Sequence, residues 1–85
     1  MKQFRVMDEL AEIPGHGVIL FVEEGGADFA DGCVIRDVRG NRHTVASTHE
    51  EDGVMWLELP QADADYLGRL LRDIRVDATL FELEE

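Results

Sequence analysis

Ser47 and His49 are the residue types of a nucleophile–base pair, and His43 and His49, beside Glu50, Glu51 and Asp52, are those of a metal site. Spacing argues against both. Two residues apart on a strand, Ser47 and His49 share a face at about 7 Å, too far for a direct hydrogen bond without loop movement. No nucleophile elbow surrounds a serine or threonine of the chain. Six residues of strand put His43 and His49 roughly 20 Å apart, so they cannot share one ion unless a turn intervenes. Cys33, between Gly32 and Val34 at the start of an apolar stretch, has no local cationic partner and reads as a buried, inert thiol. Carboxylate pairs such as Asp63 and Asp65 follow from an acidic composition, and a small barrel lacks the cleft that would raise one pKa. No Gly-x-x-x-x-Gly-Lys-Ser/Thr phosphate loop occurs. The expectation is a protein without catalytic residues, cofactor or metal, and not an enzyme.

Charge supplies a second set of candidates. Nineteen acidic residues against eight basic ones give a formal net charge of −11. Such a charge keeps a surface solvated and favours either a basic partner or mimicry of an acidic one. Direct nucleic-acid binding is disfavoured, because phosphate contacts rest on Lys and Arg displacing counterions. Arg36, Arg39 and Arg42 gather around Gly40-Asn41 and form the one dense basic site read from the sequence. With His16, which lies between two glycines, and with the run His49, Glu50, Glu51 and Asp52, they make up the expected interaction surface, toward a partner protein of unknown identity. Trp56 reads as a packing residue rather than a stacking platform.

These side chains need a scaffold. Eighty-five residues suffice for one domain over 1–85, burying roughly 60 to 65% of the surface exposed on unfolding. No apolar stretch approaches the roughly 18 residues of a membrane span. The N-terminus lacks the apolar region of a secretory signal, and a lone cysteine suits a reducing cytoplasm. Turn signals recur at short intervals at Pro14-Gly15, Gly25-Gly26, Asp31-Gly32, Gly40-Asn41, Asp52-Gly53 and Leu59-Pro60-Gln61. That spacing predicts short strands over 4–8, 18–23, 33–38, 42–49, 54–59 and 80–83. Val18-Ile19-Leu20-Phe21-Val22 is an unbroken apolar run, expected to be buried on both faces. Over 54–59, Met55, Leu57 and Leu59 share one face and Trp56 lies on the other. The segment 63–74 is ambiguous: Leu67, Leu70, Leu71 and Ile74 have helical spacing, with acids first and arginines last, as a helix dipole prefers. Gly68 in its interior costs a helix about 1 kcal/mol relative to alanine.

Read end to end, the chain resembles domain 2 of elongation factor Tu, the small antiparallel barrel of translational GTPases. Residues 4–8 resemble its aromatic-led first strand. Gly15-His16-Gly17 resembles its Gly-Arg-Gly turn into a long apolar strand, and Phe29-Ala30-Asp31-Gly32-Cys33-Val34-Ile35 its next turn and strand. Thr44-Val45-Ala46-Ser47 is similar to its Thr-Val-rich strand, and Tyr66-Leu67-Gly68-Arg69-Leu70-Leu71-Arg72-Asp73-Ile74 to its Asn-Val-Gly-Leu-Leu-Leu-Arg-Gly-Ile strand. The resemblance implies an all-β, six- to seven-stranded antiparallel Greek-key barrel standing free of its GTPase, with 67–74 as a strand; periodicity alone implies the alternative, an α+β chain with a helix at 63–74. The family's aromatic and basic tRNA-facing segment is replaced by His49-Glu50-Glu51-Asp52-Gly53, and its turn arginine by His16. The implied role is therefore a non-enzymatic protein-interaction module. The alternative is a translation-associated accessory contacting ribosome or RNA through Arg36, Arg39 and Arg42, and a third reading is a small hydrolase or metal protein.

Overall fold

The computed structural model describes residues 2–14, 17–24 and 29–84. His16 and the Gly25-Gly26 signal lie outside the described residues. Seven strands and one helix follow in the order β1 (Lys2–Ile13), β2 (Gly17–Glu24), β3 (Val34–Arg36), β4 (Arg42–Thr44), β5 (Ser47–Glu51), β6 (Val54–Leu59), α1 (Ala64–Leu71) and β7 (Leu80–Leu83). All pairings are antiparallel, in the sheet order β4-β3-β7-β1-β2-β6-β5. The fold is all-β and barrel-like, with one short helix.

The ladder does not close between its terminal strands. These strands are instead successive pieces of one bent run, which replaces the single strand expected over 42–49. The Val45 amide donates to the Cys33 carbonyl (2.8 Å), beside β3, and the Ala46 amide to the Glu58 carbonyl (2.8 Å), in β6. Counting β4–β5 as one bent strand, β3, the bent strand and β6 form a meander, and β7 returns beside β3. That is the Greek-key order.

Alternation along the strands builds the core. Phe4, Val6, Val18, Leu20, Ile35, Val45, Leu57, Leu59, Phe81 and Leu83 are all buried in one cluster. The central apolar run is buried on both faces at Val18, Ile19 and Leu20, while Phe21 and Val22 are half-buried. The close approach of the start of β2 to the end of β6 admits only glycine at position 17. Gly17 has φ +74°, and a Cβ there would collide with the Leu59 carbonyl oxygen and the Pro60 backbone. At the β5–β6 hairpin, Asp52 (φ 54°) and Gly53 (φ 80°) are both left-handed, the two-residue turn that matches strand twist. Between Val6↔Val22 and Leu10↔Leu20 the register slips, so residues 7–9 of β1 bulge opposite Phe21.

The segment read from resemblance as a strand over 67–74 is a helix, and this expectation is corrected. Asp63 caps it, its carboxylate accepting the Asp65 amide (2.9 Å) and the Tyr66 amide (3.2 Å). Leu67, Leu70 and Leu71 then bury one stripe against the barrel core. Each fully buried leucine contributes about 1.5 to 3 kcal/mol, which outweighs the helix penalty of Gly68. The helix stops at Arg72, so the fourth member of the expected stripe, Ile74, is not buried. It is 98% exposed.

Candidate functional site

Between β3 and β4 the chain reverses through residues 37–41 around a buried carboxylate. The Asp37 side chain is 0% exposed. Its Oδ1 accepts the amides of Arg39 (2.9 Å) and Asn41 (3.1 Å), a side-chain-closed turn that explains the loop better than the Gly40-Asn41 pair alone. Its Oδ2 accepts the Tyr66 hydroxyl (2.8 Å) and meets His43 Nε2 (2.9 Å). Asn41 Nδ2 donates to the Tyr66 oxygen at 2.7 Å, and the Tyr66 and His43 rings stack at 6.1 Å. An ionised carboxylate has lone pairs for four donors, so the arrangement is satisfied with Nε2 of His43 protonated. Burial pushes the Asp37 carboxyl up, but His43, Tyr66 and the two amides outweigh it and hold it below its ordinary value. The His43 side chain is therefore a largely buried partner of Asp37.

This node ties the hairpin to α1 and sets Arg39 beside the end of the helix. Just past the C-terminus of α1, the Asp73 amide donates to the Leu70 carbonyl (3.0 Å), and Asp73 Oδ1 accepts the Arg75 amide (3.0 Å). The same carboxylate takes Arg75 Nε at 3.0 Å and Arg39 Nη2 at 2.7 Å, and its side chain is only 9% exposed. Arg75 above all, with help from Arg39, draws the Asp73 carboxyl down to about 2. Arg69 Nε donates to the Asp65 carbonyl (3.3 Å). Among the described residues, neither Arg69 nor Arg72 has a carboxylate partner. Arg39, Arg69, Arg72 and Arg75, with Tyr66, Asp73 and Ile74, line one concavity of about 640 Å³. Half of the chain's eight basic residues thus meet in one place on a molecule of net charge −11.

The surface expected from sequence is distributed differently. Arg36 and Arg42 are cross-strand neighbours whose guanidinium groups share Glu84, at 3.3 and 2.7 Å. Only Arg39 reaches the concavity. The reading of Arg36, Arg39 and Arg42 as the one dense basic site is corrected: the denser group includes Arg69, Arg72 and Arg75. His49 lies at the other end of the bent strand, stacked on Trp56 at 5.5 Å, with Glu50, Glu51 and Asp52 exposed beyond it on the β5–β6 hairpin. His16 is outside the described residues.

Ser47 and His49 lie closer than strand spacing implies. Ser47 Oγ lies 3.1 Å from His49 Nε2, because both side chains lean toward Glu58. The hydroxyl, however, donates to Glu58 Oε2 (3.0 Å), and the same Nε2 faces Glu58 Oε1 (3.2 Å). A catalytic triad needs Nε2 to accept the serine proton while Nδ1 is held by the acid. Here one nitrogen faces both groups and the hydroxyl donates to Glu58 instead, so the arrangement is not that of a triad. Cys33 is partly buried, and that burial pushes its thiol up, against activation. Among the described residues no cluster of His, Cys, Asp and Glu has metal-binding geometry, and no helix is long and apolar enough to cross a membrane.

Comparison with family models, with curated proteins and with solved structures returns no match.

Proposed function

We propose that this chain is a non-enzymatic β-barrel module that binds a partner protein, with the arginine-lined concavity beside Ile74 as its contact surface. One observation carries the reading: four arginines drawn from two separate parts of the chain surround a concave site next to an almost fully exposed isoleucine. Protein contact surfaces are enriched in arginine, and an exposed apolar side chain ringed by polar groups supplies an anchor. A stranded isoleucine costs solubility without helping the fold, so a partner that covers it accounts for its position. The unpaired Cys33 thiol favours a reducing, cytoplasmic setting. The elongation-factor resemblance would make this a barrel working without its GTPase; it rests on the quoted segments alone, one of which folds as a helix.

The RNA-contact alternative loses its main support here. Arg36 and Arg42 share the single carboxylate of Glu84, and Arg39 is paired with Asp73, so each arginine of the patch it relied on is already engaged with a carboxylate.

A photo-cross-linking residue at position 74 tests the interaction reading in cells. The expected result is a discrete, protease-sensitive and nuclease-resistant adduct at 74, absent when the probe stands at Glu51 on the β5–β6 hairpin. Equal labelling from both positions, or a nuclease-sensitive adduct, overturns it.

A further inference from the structure

We propose that the arginine concavity is a phosphate site, and that it receives the phosphoryl group of a singly phosphorylated peptide segment in the partner protein. This inference rests on the interaction reading and names the chemistry of its ligand.

Charge counting leads to it. Asp73 offers one negative charge to four guanidinium groups, and its oxygens are engaged with Arg39 and Arg75. Arg69 and Arg72 remain, three residues apart and hence neighbours on the surface of the last helical turn. Complementing the negative end of the helix dipole accounts for cations at these two positions, but that end is worth only about half a charge. It does not account for Arg39, which arrives from a separate hairpin, or for Arg75 beyond the helix. A phosphate monoester carries about −1.5 to −2 charges at neutral pH and three acceptor oxygens. It matches the Arg72 guanidinium and the two Nη groups of Arg69, whose Nε is taken by the Asp65 carbonyl, whereas a single carboxylate leaves one of the two groups unpaired.

The rest of the molecule selects against longer polyanions. A net charge of −11 repels a nucleic acid over its length, and the carboxylates of Asp63 and Asp65 flank the arginines along α1. A lone dianion with neutral or basic neighbours escapes that penalty. An apolar residue beside the phosphate would cover Ile74.

The test is fluorescence anisotropy with a short labelled peptide carrying one phosphoserine between leucine and lysine, against its unphosphorylated twin, a twin with glutamate in place of phosphoserine, and an oligouridylate. The expected result is binding of the phosphopeptide at least tenfold tighter than of either twin, weakened at least tenfold in the double variant R69Q/R72Q. Both side chains are exposed, so circular dichroism should find that variant folded; Arg75→Gln gives an independent loss if it is not. Equal binding of phosphopeptide and twins overturns the phosphate inference but leaves the interaction surface standing. Tighter binding of oligouridylate overturns it in favour of RNA. No binding of any probe overturns both this inference and the interaction reading at this face.

Discussion

Removing the Asp37 carboxylate is the sharpest structural perturbation available. In Asp37→Ala two backbone amides, the Tyr66 hydroxyl and His43 Nε2 lose their shared acceptor in a place closed to water. Truncating one partner of a buried, charge-assisted network costs about 3 to 5 kcal/mol. For 85 residues a total stability of about 4 to 13 kcal/mol is ordinary, so this variant should lose a large share of it at 25 °C and be unfolded if the wild type lies near the low end. Asp37→Asn keeps an oxygen for the two amides and lets His43 adopt the other tautomer; only the Tyr66 contact becomes donor against donor. It should cost about 1 to 2 kcal/mol. Urea titration followed by Trp56 fluorescence should therefore rank wild type above Asp37→Asn above Asp37→Ala, with the slope unchanged for any variant that still folds. The pH dependence has a definite sign. The folded Asp37 carboxyl is depressed, so its stabilisation is complete above the ordinary carboxylate value of about 3.9 and is lost as pH falls through the folded value. The gap between wild type and Asp37→Asn should narrow below about pH 4. An Asp37→Ala protein within 0.5 kcal/mol of wild type, or a gap that widens on acidification, would refute the reasoning.

Two glycines make opposite predictions. Gly17→Ala places a Cβ against the Leu59 and Pro60 backbone at a positive φ, so it should cost more than about 3 kcal/mol and be read as loss of the cooperative melting transition. Gly68→Ala meets nothing within 4 Å inside α1 and should stabilise by about 0.5 to 1 kcal/mol, raising Tm by about 2 to 8 °C in a calorimetric scan; a lower Tm would mean the segment is not a helix in solution.

Periodicity in the sequence carried the strands well, since alternation and glycine turns are local signals. Residues 54–59 and 80–83 lie where expected, and Trp56 faces away from the core as its parity requires. Arg42 to His49 was harder to read, because the switch from β3 to β6 at Val45 and Ala46 is a tertiary event with no local marker. The helix was legible in the spacing of Leu67, Leu70 and Leu71 and in the Asp63 cap. A similarity of apolar residues to a barrel strand obscured it, since leucine-rich segments match either state. A strand over 67–74 would also scatter the site. Arg69, Arg72 and Arg75 recur at intervals of three, which gathers them only if the chain coils around 64–72. Asp37 had a readable signal, a carboxylate two residues before the amide it accepts, but its pairing with Tyr66 spans 29 residues and no spacing rule reaches that far.

The central claim is that the end of α1 and the 37–41 hairpin form one anion-recognising face. Amide NMR of the isotope-labelled full chain, titrated with inorganic phosphate against chloride at matched ionic strength, tests it most directly. The predicted result is a saturable set of shifts confined to residues 39, 66 and 69–75, abolished in R69Q/R72Q. Small shifts spread evenly over the Lys and Arg positions of the whole chain, the same in both salts, would contradict it.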